Sequence, residues 1–353
     1  MAEGTAYSRE KDLKNRMLLN DLKKQLPVST YEFLDEKSDN NPNTAVAYAR
    51  DLLTFFTYLT ELNPMFKNKA TNSFTEEELE ALTFHDINEY QRYLSVTHPE
   101  INGETFHEEG RSTIARRMAA LRGYYGYECE HHFMEKNPTQ GASKTSTRKE
   151  YHEITRLTQE EVQAILEVVK SGNIGSDRQR KHLENTKYRD LAILTLFLNT
   201  GIRVSECVGL DITDIDFREN SLHIFRKGRK TSTIYFHDIV AEALKDYIEL
   251  ERPKYADGDT EKALFLSTQK KRMAVRSVQA MIKKYATVAV SNKKISPHKM
   301  RSTYGTALYN NTGDIRLVAD VLGHTDINTT AKHYIDIEDE HRRQAAKINL
   351  YDN

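Results

Sequence analysis

The sequence predicts a mainly helical chain in two domains, with a small β-sheet confined to the second. Three observations carry that reading. Apolar residues recur at helical spacing along most of the chain, as in Leu13, Met17, Leu18, Leu22 and Leu26. Strand-type alternation occurs only in Leu222–Phe225 and Thr233–Phe236, on either side of Gly228, which marks a hairpin. Residues 135–153 turn polar, with Asn137-Pro138, Gly141 and a Ser/Thr/Lys run, and form the expected linker. The expected domains are therefore residues 1–134 and 154–353.

A chain of 353 residues can bury two separate cores. Charged residues make up 29% and hydrophobic ones 38%, with a net charge of −1. That balance argues mildly against nucleic acid, but it hides an asymmetry. Residues 75–109 hold ten acidic side chains against Arg92 alone, whereas residues 270–301 hold ten Lys and Arg side chains and no acid. A local basic surface matters more for phosphate binding than the whole-chain sum, although a single charge run is more often a solvated face. Cys129 and Cys207 are too few and too isolated for a disulfide framework or a zinc site. The N-terminus lacks the apolar core of a signal peptide, and the apolar run at Leu191–Leu198 is too short to span a bilayer. The expected home is a reducing cytoplasm, with no membrane partner.

In the first domain, Arg9–Leu26 reads as an amphipathic helix stopped at Pro27, and Thr30–Lys37 as a short second one. Pro42 and a capping Asn43 open a long helix to Leu62, with Val46, Leu52, Leu53, Phe56 and Leu59 inward and Tyr48 and Arg50 outside. Thr75 caps a helix over Glu76–Leu82, and another covers Asp86–Leu94. Ser112 opens the last, which runs to about Tyr127 with Ile114, Met118, Leu121 and Tyr125 as its apolar stripe. Arg116 and Arg117 lie off that stripe.

The second domain opens on a capping box, Thr158 with Glu161, and a helix to Val169. Ser171–Lys187 reads as a Gly- and charge-rich loop. Tyr188–Asn199 is a buried helix ended by Gly201, followed by one or two helical turns at Val204–Leu210 and a strand region from Asp214. Ile239–Leu250, Arg276–Val290, His298–Asn310, Ile315–Leu322 and Ile327–Tyr334 read as helices, and Glu338–Leu350 as an amphipathic tail.

Chemistry concentrates in Pro297–Tyr334. Ser296 is placed to cap a helix with Pro297 at its first position, and His298 and Arg301 then share one face. A basic pair near a helix N-terminus suits an anion, most simply a phosphate. Arg203 follows the buried helix directly, where a guanidinium must be paired or face an anion; Glu206, three residues on, is the ordinary ion-pair partner. The hairpin tip Arg226-Lys227-Gly228-Arg229-Lys230 taken alone is a solvated turn, His324 a turn residue, and Tyr334 one of nineteen tyrosines. Together, in this order over one domain, they are not easily accidental.

The set Thr200-Gly201-Ile202-Arg203-Val204-Ser205-Glu206, Lys227-Gly228, His298-x-x-Arg301, Leu322-Gly323-His324 and Tyr334 resembles the tyrosine recombinase (phage integrase) family, and its Xer-type members in particular. The resemblance covers Leu157 to the C-terminus and extends more weakly to the N-terminal helices. Ten positions separate His324 from Tyr334, one more than the family's usual spacing; the nine-position site is His333. Lys227 is preferred to Lys230 as the hairpin lysine because it matches the family's Lys-Gly turn.

The resemblance implies a two-domain, C-shaped clamp on duplex DNA, and a metal-free, cofactor-free reaction. Arg203 and Arg301 bind the non-bridging oxygens of a phosphodiester, and His324 donates a further hydrogen bond. Tyr334 attacks to form a 3′-phosphotyrosyl bond, His298 accepts or orients its proton, and Lys227 protonates the leaving 5′-oxygen. Glu206 orients Arg203 or His298. Asn43, Thr44, Tyr48, Arg50, Arg116, Arg117, Lys230 and Lys299 are expected DNA contacts, against the alternative of solvated helix faces. A homo-tetramer on paired sites is implied, with the tail docked on a neighbouring protomer or, as the alternative, packed on its own domain, and with room for a cell-division or accessory DNA-bending partner. The expected role is chromosome-dimer resolution; alternatives are an integrase of a mobile element, a type IB topoisomerase, or a catalytically silent DNA-binding regulator.

Overall fold

The computed structural model describes residues 6–95, 110–143, 156–226, 230–257 and 261–324. The chain divides into two compact units, one spanning Ala6–His152 and the other containing Glu153–Asn353.

The first unit is all helix in its described residues. Its helices are α1 (Ala6–Lys23), α2 (Thr30–Asn40), α3 (Pro42–Leu62), α4 (Glu76–Glu80), α5 (Phe84–Ser95) and α6 (Arg111–Glu130). Helix α3 is central: Ala45, Leu52, Phe55, Phe56 and Leu59 are buried, and it packs on α1, α2 and α6. The cap of α3 differs from expectation. Asn41, not Asn43, is the N-cap, and its side chain accepts from the Asn43 backbone at 3.0 Å, because Pro42 occupies the first helical position. Thr75 and Glu78 close a capping box on α4. Residues 135–143 lie against this unit: the Glu135 and Lys136 amides donate to Glu80, and the Ser143 amide donates to Asn88.

The second unit is helical around a three-stranded antiparallel sheet. Helices α7 (Gln159–Ser171), α8 (Asp177–Glu184), α9 (Lys187–Thr200) and α10 (Val204–Gly209) come first. Strands β1 (Ile215–Asp216), β2 (Ser221–Arg226) and β3 (Lys230–Tyr235) follow in that spatial order, with Arg226 paired to Lys230 at the hairpin end. Then come α11 (Asp238–Asp246), α12 (Val275–Ala289), α13 (Pro297–Thr312) and α14 (Ile315–Leu322).

Helix α8 overturns the expected loop over Ser171–Lys187. Ser176 and Gln179 make a capping box for it, and Leu183 alone of its side chains is buried. One apolar residue gives no periodic signal, so the composition read as loop.

Helix α9 is the axis of this unit, packed by α7, α11 and α13 and burying Ala192, Ile193, Leu194, Leu196 and Phe197. Each large side chain contributes roughly 1.5–3 kcal/mol. Its start is held by buried polar groups: Asp190 accepts from Arg189, Thr186 and the Tyr285 hydroxyl, while Glu251 accepts from the Tyr188 amide at 2.9 Å. Both ends are thus fixed, and the far end carries the site. None of the helices among the described residues is long and apolar enough to cross a membrane.

Candidate active site

The site is built on two helix ends. Helix α9 stops at Gly201, which takes a left-handed conformation (φ +61°) and donates its amide to Phe197. Any Cβ at Gly201 would lie 2.7 Å from the Tyr304 ring and 2.8 Å from Leu322. The chain then turns into α10 with Arg203 at the N-cap position. Its backbone N–H and guanidinium both donate to Glu206, at 2.9 and 2.8 Å. Glu206 is thereby consumed in orienting Arg203.

Helix α14 stops at Gly323, again left-handed (φ +62°). Of its last carbonyls, that of Asp320 accepts from the Gly323 amide, and arginines from three other elements donate to it and to those that follow. Arg226, at the end of β2, donates to Asp320 and Val321 at 3.1 and 2.8 Å. Arg301, from the second turn of α13, donates to Leu322 and, at 2.5 Å, to Gly201. Arg203 donates to Gly323 at 2.8 Å. The negative end of the helix dipole makes this a favourable place for cations. Three guanidiniums against the Glu206 and Asp320 carboxylates still leave the cluster positive among the described residues.

The arginines differ in access. Arg301 is only 6% exposed, whereas the Arg203 side chain is 36% exposed and can reach an anion. Arg226 is half-buried, and desolvation, with repulsion from Arg203, moves its titration below the usual guanidinium range. Burial also pushes the neighbouring Tyr304 phenol up.

The structure therefore brings Arg203, Glu206, Arg301 and the turn bearing His324 together. The His324 amide donates to Ala319 at 2.9 Å. His298 is exposed on the first turn of α13, three residues before Arg301, and its carbonyl accepts from Ser302. Pro297 is the first residue of that helix and Ser296 sits at the N-cap position, but its side chain makes no capping bond. Lys299 is half-buried beside them. Lys227, Tyr334, the expected helix Ile327–Tyr334 and the tail Glu338–Leu350 lie outside the described residues, as does the Lys230 side chain. Arg226 is the residue that sequence reasoning missed: its partners stand 94 and 95 positions away.

In the first unit, the candidate contacts line α3 and α6. Asn43 and Arg50 are exposed and Thr44 half-buried. Asn43 also accepts from the Asn15 side chain at 2.9 Å. Tyr48 is less outward than expected: its ring stacks on Phe33 at 6.0 Å and packs against the core. Arg116 pairs with Asp51, which is buried, and Arg117 donates to the Thr54 hydroxyl. Both arginines thus tie α6 to α3.

The phage integrase family model matches residues 155–341. A tyrosine recombinase XerC of Caldanaerobacter subterraneus subsp. tengcongensis is 34% identical over 335 residues, which cover 92% of this chain and 87% of that protein. A tyrosine recombinase XerD of Staphylococcus saprophyticus subsp. saprophyticus is 28% identical over 85% of this chain and 90% of its own. Among solved structures, the XerH site-specific recombinase bound to palindromic difH substrate shares the fold at a TM-score of 0.60. It is 17% identical and covers 95% of this chain and 94% of that chain. The chain belongs to the phage integrase family. Within it, the chain is a site-specific tyrosine recombinase of the Xer type, an enzyme that cleaves and rejoins DNA.

Proposed function

We propose that the protein resolves chromosome dimers by recombining two copies of one duplex DNA site, working as a cytoplasmic homo-tetramer. The observation that carries this reading is the 34% identity with a XerC over nearly the whole of both chains. Arg203 and Arg301 hold the non-bridging oxygens of the scissile phosphate, as charge-assisted hydrogen bonds suit a developing dianion. Glu206 keeps Arg203 in place. His324 donates to the same phosphate, and His298 accepts or orients the nucleophile's proton. Tyr334 attacks phosphorus and forms a 3′-phosphotyrosyl bond while Lys227 protonates the departing 5′-oxygen. A 5′-hydroxyl of the partner strand reverses the step, so the energy of the broken bond is retained.

The first unit reads the duplex through α3 and α6, with Asn43, Thr44, Tyr48, Arg50, Arg116 and Arg117 as contacts. Lys230 and Lys299 add phosphate contacts in the second. The tail Glu338–Leu350 docks on a neighbouring protomer, and a cell-division or DNA-bending protein sets the timing.

The test is a nicked suicide duplex carrying a palindromic site found beside the gene. A covalent protein–DNA band that disappears in Tyr334→Phe is expected. No such band on any site would sink the assignment of Tyr334 and point to a silent DNA-binding regulator. Relaxation of arbitrary supercoiled DNA would instead indicate a topoisomerase.

A further inference from the structure

The first unit contains a cavity of about 600 Å³ that plays no part in the recombination chemistry. Four carboxylates line it: Glu32 from α2, Glu76 and Glu77 from α4, and Glu128 from α6. Its apolar walls are the rings of Tyr31, Phe74 and Phe133, the last 46% exposed at its edge. Among the described residues, no basic side chain lines it. The lysines beside its Tyr31 and Phe74 rings are already engaged: Lys23 pairs with Asp35 and Lys69 with Glu78.

Glu128 separates this cavity from an ordinary acidic surface. It is 1% exposed, yet one carboxylate oxygen has no hydrogen-bond partner. A buried polar atom left unmatched is costly, so a ligand that satisfies it recovers that cost. The ligand must be a donor, must be positive to suit four carboxylates, and must accept aromatic walls. Such walls favour cations with carbon stems. Among the described residues no His, Cys, Asp and Glu group is arranged to hold a metal ion. We infer that the cavity binds an organic cation, a guanidinium or alkylammonium group on an apolar stem.

The site carries its own pH dependence. Burial first, then Glu76 and Glu32, push the Glu128 carboxyl up to about 7. The Tyr124 hydroxyl, bonded to Ser29 at the cavity wall, also faces it and stays protonated. A bound cation favours the ionised form of Glu128, so binding releases a proton and strengthens as pH rises through 7.

The experiment is calorimetric titration of the full chain at fixed ionic strength, with agmatine as the free cation and N-acetyl-arginine N-methylamide as the polypeptide side chain. The matching citrulline amide is the neutral control. Saturable binding near pH 8 is expected, about tenfold weaker near pH 6 as Glu128 protonates. In Glu128→Gln the affinity should fall at least about tenfold and lose its pH dependence, with an unchanged circular dichroism spectrum. Glu76→Gln, on a different helix, should weaken binding in a protein whose core is untouched. Binding of agmatine but not the arginine amide assigns the site to a free amine, and binding of both assigns it to a basic side chain of a partner. Binding unaltered by Glu128→Gln, equal binding of the citrulline amide, or no binding of either cation overturns the proposal.

Discussion

Arg226 and Val321 join the basic hairpin to the Gly323 turn: the guanidinium at the end of β2 donates to the Val321 carbonyl at 2.8 Å, 95 positions along the chain. The same guanidinium reaches Asp320. The lysine assigned as general acid is the next residue, so Arg226 is placed to set where that lysine starts. Arg226→Ala should slow cleavage of a suicide duplex by about 10- to 100-fold, in keeping with a loss of about 1–3 kcal/mol in positioning. Arg226→Lys should recover part of the rate, because one ammonium cannot serve both carbonyls with the same geometry. Duplex affinity, followed by gel shift, should stay within about threefold. An equal loss of affinity and rate would show that Arg226 grips DNA instead.

Arg301 should be structural as well as catalytic. It is buried and supplies the carbonyls of both Gly201 and Leu322. Arg301→Ala leaves two acceptors unmatched and should lower unfolding stability by about 2–4 kcal/mol, measured in urea, while abolishing cleavage. Arg203→Ala should also abolish cleavage, and because it removes the ion pair of the nearly buried Glu206 carboxylate it should cost about 1–3 kcal/mol in stability.

Gly201→Ala tests the turn itself. An alanine there must hold φ +61° and displace Tyr304 and Leu322. A loss of about 1–3 kcal/mol is expected, read as a lower melting temperature. Gly313 is also left-handed (φ +66°) but has open space around it, so Gly313→Ala should cost less, about 1 kcal/mol.

Two buried carboxyls set the pH profile of stability. Burial raises both Glu128 and Glu251 from 4.5 to about 7. Each binds its proton more tightly in the folded state, so its contribution is complete below pH 4.5 and is lost as pH rises through 7. Melting temperature should therefore fall between about pH 5 and pH 8. Glu128→Gln should match the parent near pH 5 and exceed it by about 1–3 kcal/mol near pH 8. Glu78 and Glu161, whose carboxyls are lowered by Lys69 and Lys293, act in the opposite sense and only in acid.

Arg116 separates folding from DNA contact. Its partner Asp51 is buried, so Arg116→Ala removes an ion pair from a buried carboxylate and should destabilise the free protein by about 1–3 kcal/mol. The double variant with Asp51→Asn should recover most of that stability. Any DNA-affinity defect that survives in the double variant belongs to Arg116 as a contact.

The sequence displayed what depends on neighbours along the chain. Thr158 with Glu161, the stop at Gly201 and the pairing of Arg203 with Glu206 all lie within a few residues, where spacing carries the physics. Helix α8 was hidden because its capping box, Ser176 with Gln179, precedes a helix with one buried residue. Asn43 reads as the cap until Pro42 is set at the first helical position, which moves the cap to Asn41. The period of its own helix turns Tyr48 outward, whereas Phe33 of another helix sets its ring. The arginine cluster could be read only as single residues. Its organising principle, the unsatisfied carbonyls of α14, exists only once that helix has an end.

That shared helix end has a mechanical consequence. The segment that leaves His324 leads in sequence to Tyr334 and the tail, and the peptides just before it are those to which Arg203 and Arg301 are bonded. Should docking of the tail, as proposed, alter the grip of these guanidiniums on an anion, an anion must alter the docking of the tail by the same factor. Sulfate or vanadate should thus change protomer association even without DNA.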